Sequence, residues 1–261
     1  MWLTSQPVWL LVASSLLVAL LVAGGSRLAV SAIVPEAEAD HVHAIAAPLM
    51  AALGATFAVL TALTLSSEAG YLRTAQDIVS REAAEASRLA WASTSPGIDS
   101  ASIQEALAVY LRATRDNEWE GVDEIASEDE ATADALATLE RAVRDEAARP
   151  ELGTPASTEL LASLDAVTTG RRTRIAAADR ELPGLYVITL VVSGAALIAN
   201  AGALVFRTSA RTSLLVAGLA CVVGLSLALL FAIAAPWEGG LVASGDPIDA
   251  VRRDLESGFF A

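Results

Sequence analysis

The chain has 261 residues, a mean hydropathy of +0.51 and a formal net charge of −14. Its 17 basic residues are all arginines, and they form no basic stripe of the kind that nucleic-acid phosphates require, which excludes a nucleic-acid partner. Cys221 is the single cysteine, so a disulfide framework and a cysteine zinc site within one chain are excluded.

Four long apolar segments dominate the sequence. They cover residues 8–30, 44–65, 185–206 and 212–235. Each approaches the roughly 20 apolar residues that an α-helix needs to cross a bilayer. A cleaved signal peptide has basic residues before its apolar segment, but no basic residue precedes the first segment here. We therefore interpret that segment as a retained transmembrane helix. The sequence therefore predicts a multi-pass protein of the cell membrane.

These segments divide the chain into four predicted parts. Residues 1–66 form an N-terminal transmembrane helix pair, 67–184 an acidic soluble helical bundle, 185–235 a C-terminal transmembrane helix pair and 236–261 a C-terminal tail. The insert holds 23 acidic residues against 12 arginines, a net charge of −11. The predicted fold class is all-α, with four transmembrane helices and a membrane-proximal helical bundle inserted between helices 2 and 3.

Proline positions and cap signals predict the helices of the insert. No proline lies between Pro48 and Pro96, so the second crossing is expected to continue into water as one helix to about residue 91. Ser102 and Glu105 have the spacing of a capping box. The remaining helices are expected at residues 102–119, 131–149 and 154–182, the last with Thr154 as its N-cap.

The outgoing and returning helices of the insert each carry one charge within an apolar seam. Glu82 interrupts the first seam and Arg171 the second. Counted from the membrane at helical rise, they lie at heights of ~24 and ~21 Å. We therefore predict a largely buried pair between Glu82 and Arg171 or its neighbour Arg174. Two solvated side chains are the alternative. Such a pair favours helix register more than net stability.

Asn200, Thr56 and Thr61 are the polar intramembrane residues that we select as candidate pore residues. The alternative is that they hydrogen-bond a neighbouring helix. Small residues at four-residue spacing also predict close helix contacts, within or between subunits: Ala47, Ala51 and Ala55, and Ala220, Gly224 and Ala228.

No sequence pattern indicates a catalytic site or a metal site. The connector at residues 38–43 contains Glu38, Asp40, His41 and His43, but their spacing matches no defined metal site, and a solvated loop is favoured. The acidic residues 118–130 lack the order of an EF-hand and are expected to be a solvated loop as well. No catalytic or nucleotide-binding motif occurs. We predict no catalytic residue, no cofactor and no metal, and therefore no enzyme.

A series of landmarks along nearly the whole chain resembles a bacterial membrane family described as bestrophin-like. These are Arg81-Glu82-Ala83, Tyr110, Glu118-Trp119, Arg171-x-x-Arg174 with Leu182-Pro183, and Pro236-Trp237-x-Gly239. The resemblance implies the architecture of bestrophins, which are pentameric anion channels with a helical cytosolic region and a pore along the oligomer axis. The calcium-binding acidic cluster and aromatic pore neck of bestrophins have no matching residues here.

Two functions are compatible with these observations. The first is a homo-oligomeric ion channel, anion-selective by resemblance, whose partners are the lipid bilayer, further copies of the chain and a small inorganic ion. The acidic insert argues against anions near its own mouth, because negative charge enriches cations. The alternative is a non-conducting membrane scaffold or sensor whose acidic bundle binds a protein partner.

Four crossings put both termini and the insert on one side of the membrane. Within about 20 residues of the membrane, eight arginines lie on that side and three on the other, so the positive-inside rule predicts a cytoplasmic insert. The eight are Arg73, Arg81, Arg171, Arg172, Arg174, Arg180, Arg252 and Arg253. The short loops taken alone favour the opposite orientation, because residues 1–7 carry no cation and the connector 207–211 carries two. Trp9 and Trp237 are expected at one membrane surface as an aromatic belt.

Overall fold

The structure, a computed structural model, describes residues 7–119, 129–179, 183–207, 210–234, 236–237 and 241–260. Within them the chain is helical and contains no strand, which confirms the all-α prediction. The α-helices are α1 Val8–Ile33, α2 Ala39–Ser93, α3 Ser100–Asn117, α4 Glu130–Ala147, α5 Thr154–Ala178, α6 Gly184–Val205, α7 Ala210–Ile233 and α8 Asp246–Glu256.

Helices α1, α2, α6 and α7 are long and apolar enough to cross a membrane. This confirms the four predicted transmembrane helices. Helix α2 has 55 residues and continues without interruption past its apolar part, with Pro48 near its beginning. The expectation of one helix from the second crossing to about residue 91 is therefore confirmed.

The chain divides into two compact units. The first contains Met1–Gly70, Glu181–Ala235 and Gly239–Leu241, and the second contains Tyr71–Arg180, Pro236–Glu238 and Val242–Ala261. Helix α2 contributes to both units. The residues expected to be a C-terminal tail include helix α8 and belong mainly to the second unit.

Close contacts between α1, α6 and α7 build the first unit. A Cβ atom on Gly224 of α7 would lie 3.0 Å from the Ser15 carbonyl oxygen and 3.2 Å from the Leu16 Cα. A Cβ atom on Gly194 of α6 would lie 3.1 Å from the Phe57 ring. The small-residue row of α7 is thus used inside one subunit, because it lets α7 approach α1 closely.

The core of the second unit combines α2, α3, α4, α5 and α8. Its buried apolar residues recur at helical spacing on each helix, and burial of each large side chain contributes roughly 1.5–3 kcal/mol. They include Ala75, Val79, Leu89, Ile103, Leu107, Leu111, Leu139, Val143, Leu160, Val167, Ile248 and Val251.

Two helix starts differ from the sequence prediction. Helix α3 begins at Ser100 after Asp99, so Ser102 lies inside its first turn and the predicted capping box is wrong. The Asp99 backbone N–H donates to Glu146 Oε1 at 2.9 Å, which fixes the chain before Ser102. Helix α5 follows Gly153, one residue before the predicted N-cap.

The start of α4 has a side-chain cap. Asp129 accepts a hydrogen bond from the Thr132 backbone N–H at 2.8 Å. That hydrogen bond stabilises the carboxylate and lowers the pKa of Asp129.

Candidate functional site

Four charged side chains are buried together in the second unit. Glu82 on α2, Glu118 after α3, and Arg171 and Arg174 on α5 are each at most 3% exposed. We call these four residues the buried charge cluster. Two carboxylates face two guanidinium groups, so the cluster is neutral overall. Ions this deeply buried must be paired, because desolvation costs several kcal/mol for each.

Arg174 lies between the two carboxylates. Its Nε atom is 2.7 Å from Glu82 Oε2, and its terminal nitrogen is 2.8 Å from Glu118 Oε2. Arg171 forms a second ion pair with Glu118. The four residues therefore link α2, α5 and the end of α3 through charge-assisted hydrogen bonds, the strongest kind in proteins.

Tyr110 of α3 is hydrogen-bonded to the buried charge cluster. Its hydroxyl donates to Glu82 Oε1 at 3.3 Å. Burial, and secondarily the negative charge of Glu82, raises the pKa of Tyr110. Burial alone would lower the pKa of Arg174, but the charge and hydrogen bond of Glu82 outweigh it, and the pKa is raised. Tyr110 therefore remains a neutral donor and Arg174 remains a cation.

Two tryptophans cover the cluster. The Arg174 guanidinium lies 5.2 Å from the centre of the Trp119 ring, within cation–π range. Trp237 packs edge-on against Trp119 at 6.1 Å and is 5% exposed. Trp237 is thus buried against Trp119, and its place at the same membrane surface as Trp9 stays a prediction. Trp9 is 70% exposed.

Close approach of α5 to α2 depends on a glycine. A Cβ atom on Gly170 would lie 3.3 Å from Glu82 Cα and 3.4 Å from Glu82 Cβ. Such contacts are tighter than ordinary van der Waals packing. The absence of a side chain at Gly170 lets the α5 backbone pass directly beside Glu82.

The structure shows which charged residues pair among Glu82, Arg171 and Arg174. Glu82 binds Arg174, and Arg171 binds Glu118. Sequence reasoning missed Glu118, which it placed in a solvated acidic loop. That assignment is wrong for Glu118, which is fully buried at the end of α3. Residues 120–128 of the expected loop lie outside the described residues.

The three polar candidates in the membrane helices have different environments. Asn200 of α6 is half-buried, and its amide donates to the Ala46 carbonyl of α2 at 2.9 Å, as a helix-bridging side chain does. Thr56 is exposed on α2. The Thr61 hydroxyl is buried and has no hydrogen-bond partner among the described residues.

The histidine-containing connector forms no compact ligand group. His41 is exposed, whereas His43 Nε2 lies 3.0 Å from the Leu204 carbonyl oxygen and its ring packs on Phe206 at 5.6 Å. Across the described residues, no three histidine, cysteine or acidic side chains are placed to hold a metal ion.

Several sequence landmarks of the resemblance meet at one place. Besides the buried charge cluster, Tyr110, Trp119 and Trp237 are all in contact there. Residues far apart in the sequence thus meet at one buried point, where they connect α2, α3 and α5.

Comparisons with known proteins show the family and the fold. A family model of the bestrophin-like domain matches residues 16–248. A comparison with curated proteins finds no match. The crystal structure of a mutant bacterial bestrophin homologue from Klebsiella pneumoniae matches with a TM-score of 0.70 at 14% identity, covering 94% of this chain and 99% of that one. At this identity the structural likeness shows the fold. Because the family model covers most of its length, this chain belongs to the bestrophin-like family.

Proposed function

We propose that this chain is a subunit of a homo-oligomeric anion channel in the cell membrane, with part of α2 lining the pore. Membership of the bestrophin-like family supports an ion-channel function. Beyond what family membership supports, we propose anion selectivity, a homo-oligomer and a pore lined by part of α2.

The low burial of the membrane part of α2 carries this proposal. Only 11% of its most apolar stretch is buried, against 17% in α1 and 33% in α6 and in α7. A helix that contacts few neighbours in its own subunit is available for contacts around an oligomer axis. The same helix continues into the second unit, where Glu82 anchors it in the buried charge cluster.

The exposed surface of α2 has two different stripes at helical spacing. One stripe contains mainly larger side chains, with Ala52 in its middle: Ile45, Leu49, Thr56, Val59 and Leu63. The other contains small side chains: Ala44, Ala47, Ala51, Ala55, Ala58 and Ala62. The small stripe suits close packing against the next copy of the chain. The larger stripe then faces the axis, where apolar constrictions gate ion flow by excluding water.

The buried charge cluster has a supporting role in this proposal. It holds α2 against α5 and the end of α3, so α2 keeps one rotation and one register. Its ions are fully paired and too deeply buried to contact a permeating ion. We place the second unit and both termini in the cytoplasm, as the arginine distribution favours.

Particle mass and chloride flux test the proposal together. The protein reconstituted in nanodiscs is expected to form a symmetric oligomer of more than two copies. The same preparation in liposomes is expected to release chloride faster than protein-free liposomes. A monomer or dimer that releases no chloride would contradict the channel and leave the scaffold function.

A further inference from the structure

An apolar groove in the first unit lies between α1, α6 and α7. Its volume is about 260 Å³. Its lining includes Leu11, Val22, Ala195, Ile198, Val223 and Phe231. Ser14 and Ser15 add the polar side chains of the lining, and the Ser14 hydroxyl already donates to the Leu11 carbonyl at 3.2 Å. The groove therefore offers an almost wholly apolar surface.

From this groove we infer a binding site for one acyl chain of a phospholipid. The groove lies entirely on candidate membrane helices, where the surrounding medium is hydrocarbon. An engineered apolar cavity of about 150 Å³ holds benzene, so 260 Å³ has room for about ten carbon atoms. Water in the groove would meet few polar partners, because almost all of the lining side chains are apolar.

The extent of the groove fits one leaflet of the membrane. Leu11 lies near the start of α1 and Phe231 near the end of α7. From Leu11 to Val22 the lining extends over about 17 Å at helical rise. One leaflet contributes about 15 Å, half of the ~30 Å hydrocarbon core. A phospholipid with its headgroup at the membrane surface therefore places one chain along the whole groove.

A close contact between α1 and α7 lies beside the groove. A Cβ atom added to Gly224 of α7 would lie 3.0 Å from the carbonyl oxygen of Ser15, which is itself a lining residue. The two helices are thus already packed closely at this point, and the groove lies next to that contact.

Photolabelling with a defined lipid tests this inference. The full-length protein is reconstituted with phosphatidylcholine that carries a diazirine in the middle of one acyl chain, irradiated and mapped by mass spectrometry. Labels are expected to concentrate at least fivefold on groove residues over exposed residues of the same helices. Equal labelling of all exposed residues, or protection of the groove by a second copy of the chain, would overturn the site.

Two variants with the same added ring provide the comparison. Ala195→Phe fills the groove, whereas Val192→Phe adds the ring on the 61%-exposed outer surface of the same helix. Groove labelling is expected to fall several-fold in Ala195→Phe and to persist in Val192→Phe. Val18→Trp, at the mouth of the groove, gives a second test if Ala195→Phe does not fold. Unchanged groove labelling in a folded filling variant would contradict a resident chain.

Discussion

At the scale of single residues, the buried charge cluster is sensitive to removal of one partner. Glu82→Ala leaves Arg174 with Glu118 as its remaining carboxylate partner among the described contacts. Breaking a buried pair costs about 3–5 kcal/mol. We expect Glu82→Ala to lower the free energy of unfolding of the solubilised protein by about that amount, measured by denaturant titration.

An exposed pair between the same two helices is the matched control for Glu82→Ala. Arg88 of α2 contacts Glu159 of α5 at 2.9 Å, and the two side chains are 53% and 47% exposed. Water screens an exposed pair and weakens its attraction, so Glu159→Ala is expected to have little effect on the free energy of unfolding. Equal losses in the two variants would show that burial of Glu82 has no energetic consequence.

Tyr110 predicts a dependence of stability on alkaline pH. Its pKa is raised in the folded state, so its contribution is complete below the unfolded value of about 10 and is lost as pH rises above it. We expect the wild type to lose stability more steeply than Tyr110→Phe above about pH 10, in thermal unfolding followed at a series of pH values. Parallel curves for the two proteins would contradict this assignment.

Thr61 is expected to tolerate loss of its hydroxyl. That hydroxyl is buried without a hydrogen-bond partner among the described residues, a situation that costs roughly 1–3 kcal/mol, so Thr61→Val is expected to be neutral or stabilising in thermal unfolding. Thr64→Val is the control, because the Thr64 hydroxyl donates to the Leu60 carbonyl at 2.8 Å. A larger loss in Thr61→Val than in Thr64→Val would indicate that the Thr61 hydroxyl has a partner.

At the scale of helices, Gly170 sets the distance between α5 and α2. Gly170→Ala places a methyl group against the Glu82 backbone, and overpacking of this kind costs about 1–3 kcal/mol. Gly70→Ala on α2 is the control, because no atom of the described part of the chain lies within 4 Å of its added Cβ and alanine favours the helix. We expect Gly170→Ala to unfold at lower temperature and Gly70→Ala at the same or higher temperature. The reverse order would contradict tight packing at Gly170.

Helix α2 could be predicted from sequence because its apolar residues keep a helical spacing without interruption. Ala75, Val79 and Leu89 lie in the core as that spacing indicates. The same spacing placed Glu82 on the buried face. The local spacing was sufficient to predict burial of these residues, because it assigns each of them to one face of a single helix.

Other parts of the cluster depend on contacts that sequence spacing does not reveal. Glu118 follows α3 and begins an acidic run, so local composition favoured solvent, whereas Arg171 and Arg174 from a distant helix bury it. Trp237 likewise follows a membrane helix but packs on Trp119. Helix α8 carries Ile248 and Val251 at helical spacing, a signal that was present in the expected tail and was overlooked.

At the scale of the whole molecule, the buried charge cluster changes the argument for membrane orientation. Arg171 and Arg174 were counted among the cations beside the membrane, yet both are buried and paired with carboxylates. The proposed cytoplasmic placement of the second unit therefore rests on fewer charges. The exposed arginines that remain are Arg73, Arg81, Arg172 and Arg253.

Thiol modification shows whether the larger stripe of α2 lines an ion pore. Thr56→Cys is introduced with Cys221→Ser, because Cys221 is itself exposed. Thr189→Cys on α6 is the control, since Thr189 is also exposed on a membrane helix. A charged, water-soluble thiol reagent reaches cysteines in a water-filled pore but not those facing lipid. We expect the reagent to block chloride flux through proteoliposomes of Thr56→Cys and to leave Thr189→Cys unaffected. Unmodified Thr56→Cys in a conducting protein would exclude Thr56 from the pore lining.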